Sequence, residues 1–235
     1  CSGPGDISPP EYFWGYNRMM TIEGLFGAGD AVGGTPHAFS SGSFTEGRLA
    51  AKAACRYIDD GKAEGINVSD KQINDLKEKV YKPMEHYKVY HNEVVAGDVN
   101  PNYINPRQGL DRLQKLMDEY CGGVTVNYMT NDKLLNVCLK KLKILEEDLE
   151  KLAATDFHEL LRAWELKHRH RTAECVTQHT LFRKETRWPG YYYRGDAMKL
   201  DDENWHVLTV SRRDPKNGEY TMEKAPVYHL VKDDE

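Results

Sequence analysis

One stretch, GLFGAGDAVGGTPHAFSSGSFTEGR from Gly24 to Arg48, constrains this chain more than any other. The apolar run MTIEGLFGA (20–28) predicts a short buried strand that enters a glycine turn. Gly27 and Gly29 lack a Cβ, so a ligand can touch the backbone there. Residues 29–42 read as a small polar loop. Ser43 or Thr45 then stands where a helix cap belongs, opening FTEGRLAAKAACRYI, which ends near Asp60 and Gly61. Its apolar face is expected from Leu49, Ala50, Ala53, Ala54, Tyr57 and Ile58. A strand, a glycine loop and a helix in that order make one wall of a nucleotide site. No GxGxxG fingerprint precedes them, so only one wall is present.

Two readings of this stretch stand. In the first it is a cofactor wall: Asp30 accepts hydrogen bonds from vicinal hydroxyls of a ribityl or ribose chain. The unpaired N–H groups and positive end of the following helix then face an electron-rich or anionic group. In the second it is an ordinary glycine-rich turn. His37, inside the loop, is either a proton donor or anion ligand beside a reacting atom, or a packing or surface histidine.

The rest of the chain is mostly helical. Ser69 opens a segment with Ile73, Leu76, Val80, Met84 and Tyr87 at helical spacing, and Pro83 is expected to kink it. A Pro/Asn-rich connector follows, and Pro106 suits the first turn of a helix that stops at Gly122 and Gly123. A third helix is expected from about Asn131 to Leu152, striped by Leu135, Cys138, Leu142, Leu145, Leu149 and Leu152. Asp156 and Glu159 resemble a capping box opening a fourth, which runs to about Thr177. The stripes predict an antiparallel bundle. Beyond it, WHVLTVSRRDPKNGEYTMEKAPVYHL alternates like two strands with Asn217 and Gly218 at the hairpin turn. The expected divisions are 1–66, 67–180 and 181–235.

Elsewhere the chemistry is sparse. His168 and His170 lie two apart, so on a helix they diverge and make a poor metal pair. Arg187 and Arg194, interleaved with Trp188 and three tyrosines, either bind a phosphate or nucleotide through guanidinium forks and stacking, or clamp two parts of the fold together. The five cysteines are widely spaced without a CxxC. That argues against a disulfide framework and against a metal or iron–sulfur site held by this chain alone, and fits a reducing, cytoplasmic setting. The net charge of −5 gives no basic patch for nucleic acid. No apolar run approaches the ~20 residues that span a bilayer. The opening CSGPGD reads like the middle of a loop, so a fragment or processed product is expected.

Two segments carry a resemblance. GLFGAGDAVGG resembles the GLYAAGE-type segment of the succinate dehydrogenase/fumarate reductase flavoprotein superfamily, and ETRWPGYYYRGD with DDENW resembles that superfamily's C-terminal motif. The dicarboxylate enzymes carry HGANRLGGNSL, whose arginine serves their substrate. Here HAFSSGSF keeps His37 and lacks that arginine. The strings GTPHAFSSGSFTEGRLAAKAA and RWPGYYYRGDAMKLDDENWHVLTVSRRD are instead similar to the flavoprotein α subunits of dissimilatory adenylylsulfate reductases.

The resemblance implies an α/β plus α fold: the C-terminal remnant of a Rossmann-like FAD-binding domain, then an antiparallel helical bundle and a small β-hairpin tail. It implies an oxidoreductase reaction, adenosine 5′-phosphosulfate to AMP and sulfite or the reverse, by way of a flavin N5–sulfite adduct. FAD is the implied cofactor, and a separate iron–sulfur β subunit the implied partner and electron source. Carried over residue by residue, Gly27, Gly29 and Asp30 hold the ribityl side of FAD. Ser40, Ser41, Gly42, Ser43 and Phe44 set the helix start against the flavin pyrimidine edge. His37 faces the substrate anion as the catalytic residue, with Arg187 and Arg194 as lesser substrate contacts. Two alternatives accompany this reading: a fumarate reductase-like flavoprotein, and an inactive piece serving as a helical docking scaffold.

Overall fold

The computed structural model describes residues 14–31, 40–63, 65, 67–93, 95, 99–187 and 189–227, with the backbone alone at Asp30. The chain divides into two compact units, 1–70 and 71–235. The segment 181–235, expected as a separate extension, lies in the same unit as the bundle. No helix among the described residues is long and apolar enough to cross a membrane.

In the first unit the expected strand over 20–28 does not form. Residues 18–27 instead fold back on themselves: Met19 bridges Phe26, Met20 N donates to Leu25 O at 2.7 Å, and Gly27 N donates to Arg18 O at 3.0 Å. A strand needs a neighbour for its ladder, and the described residues supply none, so the backbone groups pair locally. Helix α1 spans Ser40–Asp59, starting ahead of the expected caps at Ser43 and Thr45. Its buried face is Glu46, Ala50, Ala53 and Tyr57, while Ile58, expected inside, is 61% exposed. Tyr57 packs edge-on to Tyr16 and Phe26, over a fully buried Met19.

The second unit is a helical bundle bearing a hairpin. Helices α2 (Asp70–Tyr90), α3 (Pro106–Tyr120), α4 (Asp132–Leu149) and α5 (Phe157–Phe182) follow the predicted order. Their starts are chemically explicit. Asn105 and Gln108 make a reciprocal capping box with Pro106 at the first position of α3. Asn131 accepts from Leu134 N at 3.0 Å, and Asp156 from Glu159 N at 2.8 Å. The core is Leu113, Leu116, Cys138, Leu142, Leu145, Leu149, Leu152, Ala163, Leu166 and Ala173. Gly109 is required where α3 meets α5: a Cβ there would stand 2.5 Å from Leu166 Cδ2.

Helix α2 continues through Pro83, whose carbonyl accepts from Ala154 N at 3.0 Å. Of its apolar stripe, Ile73, Leu76 and Val80 are all exposed, and Pro83 is its buried residue. The periodicity that predicted a core face is real, and the later turns of α2 meet the bundle, through Trp164 Nε1 on Val80 O and Lys82 on Glu150.

Two small sheets complete the unit. Strand β1 (Met129–Thr130) pairs in parallel with β2 (Tyr193–Arg194), a contact no periodicity announces. After a short helix α6 (Asp202–Trp205), β3 (Val207–Arg213) and β4 (Tyr220–Pro226) form the antiparallel hairpin. Its connection is longer than an Asn-Gly turn. Asp214 N donates to Glu219 O, and the Asp214 and Asn217 side chains accept from Lys216 N and Glu219 N.

Candidate functional site

The glycine turn and the start of α1 meet in the first unit. Gly29 opens a 3-10 turn, Gly29–Ala31, with φ of +63°, a conformation costly for other residues. A Cβ on Gly29 would lie 3.3 Å from Ser43 Oγ, so turn and helix are in contact. Gly27 is buried just before it. Ser40, Ser43, Phe44, Gly47 and Arg48 line an open hollow of about 440 Å³. Phe44 is 81% exposed beside it, a large apolar ring left to solvent. Ser41 O accepts from Thr45 Oγ1 at 2.9 Å within the helix, and Gly42 is half-buried. His37 and the Asp30 side chain lie outside the described residues.

This wall fits an electron-rich ring edge. The first turn of α1 carries no acidic side chain among the described residues, and a helix start bears a partial positive charge. Small side chains at Ser40 and Ser43 keep the approach open. Two charged residues that sequence reasoning passed over stand behind the wall: Arg18 and Glu46 form an ion pair with side chains only 12% and 9% exposed. Neither periodicity nor a motif marks them. The available signal was a glutamate at position 46, on the helix face otherwise built from alanines and Tyr57.

Arg187 and Arg194 sit in the second unit, and their contacts there are internal. Arg194 is wholly buried. Its Nη1 donates to the carbonyls of Thr180, Leu181 and Arg183, the groups left unpaired where α5 ends. Its Nε and Nη2 grip Asp196 at 3.0 and 3.1 Å, and Nη2 also reaches Asp132. Arg187 forks onto Glu185 at 2.6 and 3.0 Å and pairs with Asp202 at 2.9 Å. Glu185, itself fully buried, also accepts from Arg183 and from Asp201 N. Arg183 continues to the carbonyls of Trp205 and Val207 at 2.9 Å. Trp205 is sandwiched by cations: Lys224 Nζ lies 3.6 Å from its ring centre and the Arg183 guanidinium 5.6 Å. Together these contacts hold the tail to the end of α5.

The charged groups in the clamp carry the expected electrostatic signature. The Arg194 hydrogen bond holds the Asp196 carboxyl down to about 2. Glu185 stays below the usual carboxylate range although burial pushes it up, because Arg187, the Asp201 amide and Arg183 together outweigh desolvation.

The remaining candidates resolve into structure. His170 Nε2 donates to Leu142 O at 2.8 Å in the core. No group of three or more His, Cys, Asp or Glu side chains that could hold a metal ion occurs among the described residues. Cys121 and Cys138 converge on the Thr177 hydroxyl, each at 3.7 Å. The hydrogen bond from Cys138 lowers the Cys121 thiol pKa; the same bond, with burial, raises that of Cys138.

Comparison with known proteins places these features in a family. Residues 110–231 match the family model described as fumarate reductase flavoprotein C-term. Along its whole length the chain is 42% identical to the adenylylsulfate reductase subunit alpha of Megalodesulfovibrio gigas, covering 36% of that protein. The adenylylsulfate reductase structure from Archaeoglobus fulgidus superposes with a TM-score of 0.90 at 52% identity, over 98% of this chain and 36% of that one. A structure of adenosine-5-phosphosulfate reductase in complex with sulfite, as a covalent adduct, matches with the same figures. The chain thus spans just over a third of the length of these relatives.

Proposed function

The chain belongs to the fumarate reductase flavoprotein C-terminal family, and from that premise we propose that it is the C-terminal part of an adenylylsulfate reductase α subunit. The observation that carries this reading is the end-to-end likeness to such subunits, which includes the glycine turn, the start of α1 and the clamped tail. The activity assigned is the interconversion of adenosine 5′-phosphosulfate with AMP and sulfite. FAD, when bound, supplies the two-electron exchange with sulfur. The residues of this chain bind and orient it. Gly27, Gly29 and the Asp30 carboxylate take the ribityl side, and the amides of Ser40 to Phe44 face the pyrimidine edge, where reduction places negative charge.

His37 is assigned to the substrate anion, stabilising charge on the AMP oxygen as the S–O bond breaks. Arg194 is assigned to the clamp, since its wholly buried guanidinium is enclosed by carbonyls and carboxylates; Arg187, partly exposed and paired with Glu185 and Asp202, is left as a lesser substrate contact. Electrons are assigned to an iron–sulfur partner subunit, because the sequence has no CxxC and no cluster of ligands for such a centre occurs among the described residues. A dicarboxylate reductase is the weaker reading, because HAFSSGSF lacks the arginine that such a substrate needs.

The test is His37→Ala in the full-length subunit produced with its partner. AMP-dependent sulfite oxidation is expected to fall about 10²-fold or more with flavin content unchanged. Undiminished activity would remove His37 from the reaction. Fumarate reduction by the unsubstituted complex, without activity on sulfite, would sink the assignment itself.

A further inference from the structure

The first unit holds an ion pair, largely withdrawn from water, that the proposed chemistry does not use. Arg18 Nε and Nη2 fork onto the two oxygens of Glu46, the Nη2 arm at 3.0 Å. Both side chains are about nine-tenths withdrawn from water. Placing a pair there is expensive unless its geometry is good, and the bidentate fork is the geometry that compensates. Arg18 also adopts a φ of +67°, unusual for a residue with a Cβ and costing roughly 1 kcal/mol. That conformation turns its carbonyl toward Gly27, whose N–H donates to it at 3.0 Å. Its Nη1 holds Asn17 Oδ1 at 2.7 Å. A single residue therefore grips the glycine segment through its backbone and α1 through its side chain.

The position of Glu46 gives this grip its meaning. Glu46 is one helical turn beyond Ser43, on the same face of α1. Ser43 is the residue against which Gly29 packs. The pair thus ties turn to helix one turn below the point where the glycine turn and the helix start touch. We propose that Arg18 and Glu46 are the positioning residues of the cofactor wall, fixing Gly27–Gly29 against the first turn of α1 so that the two present one surface to a flavin. The inference rests on the FAD reading of this wall. It adds two residues that do not touch the cofactor and act only through Gly27, Gly29 and Ser43.

The test uses the full-length subunit with its partner and three variants: Glu46→Gln, Arg18→Lys, and the reversed pair Arg18→Glu with Glu46→Arg. Flavin is removed and FAD titrated back by fluorescence quenching. Melting temperatures of the flavin-free proteins and the flavin midpoint potential are measured alongside. Single variants are expected to weaken FAD binding about tenfold or more and to move the potential, as loss of outer-shell partners does at other cofactor sites. Flavin-free melting should fall as well, because a withdrawn charge loses its partner, and the reversed pair should recover part of both the affinity and the melting temperature. Unchanged affinity and potential would overturn the proposal. So would a reversed pair that restores the melting temperature but neither the affinity nor the potential, because the pair would then serve only the fold. Failure of the unsubstituted subunit to take up FAD would overturn the cofactor reading itself, and this inference with it.

Discussion

Arg194 and Asp132 meet across 62 residues of chain, the one wholly buried in the tail and the other the first residue of α4. Asp132 sits at the positive end of α4, and Arg194 at the negative end of α5, so each charge lies where its helix dipole favours it. Asp196 completes the link: its carboxylate accepts from Arg194 and from Asp132 N, at 2.8 Å.

Replacing Arg194 by alanine should cost about 3 kcal/mol, the lower end for breaking a buried pair, because Asp132 and Asp196 can rehydrate while the α5 carbonyls cannot. Lysine should recover little, since one ammonium cannot serve two carboxylates and three carbonyls at once. Urea unfolding of the chain, followed by circular dichroism, reads the loss. Stability equal to the unsubstituted chain would show that the enclosure of Arg194 is dispensable.

Acid should find the same cluster. The Arg194 guanidinium holds the Asp196 carboxyl down to about 2 in the folded chain, below the ordinary aspartate value of 3.8. A depressed folded pKa contributes stability that is present above about pH 4 and disappears as pH falls from there toward 2. Asp196→Asn should therefore lower the urea midpoint at pH 7 and flatten its decline below pH 4. Glu150, also held near 2 by Lys82 and Lys167, is 60% exposed, and solvent screens its pairs. Glu150→Gln should leave the acid limb almost unchanged.

Gly109→Ala sets two effects against each other. Alanine is the better helix former by about 1 kcal/mol. Its Cβ, however, would press on Leu166 Cδ2, with Leu149 and Ile104 at 3.4 and 3.5 Å closing the escape. Overpacking costs about 1–3 kcal/mol, so the substitution is expected to destabilise. Pairing it with Leu166→Ala should cost less than the sum of the two single changes. A stabilised Gly109→Ala chain would mean that α3 and α5 are not in close contact there.

Cys121 is half-buried and its thiol is made more acidic by the Cys138 hydrogen bond, whereas Cys138 is buried and made less acidic. Iodoacetamide at neutral pH should label Cys121 well ahead of Cys138. Cys138→Ala removes the donor and should shift the Cys121 labelling profile to higher pH. Mass spectrometry of the labelled peptides across pH 6–9 checks both, and an unmoved profile would deny the hydrogen bond its effect.

Much of this molecule is legible in one dimension. Asn131 and Asp156 start helices because their side chains accept from an amide three residues on, within a single turn. Leu135, Cys138, Leu142, Leu145 and Leu149 lie inside because their spacing puts them on one face, whatever that face meets. The order of the helices was readable for the same reason.

The fate of the other residues depended on partners distant in sequence. Ile73, Leu76 and Val80 keep a helical spacing yet stay exposed, because spacing aligns a face but cannot supply a surface to cover it. Arg194 looked equally suited to a ligand or a clamp, and its enclosure by Asp132 and the end of α5 could not be read from its neighbours. Arg18 and Glu46, 28 residues apart, carried no pattern at all. Short-range steric and hydrogen-bonding rules act on neighbours and so are written along the chain. The cost of burying a charge depends on what stands opposite it, and only the folded chain decides that.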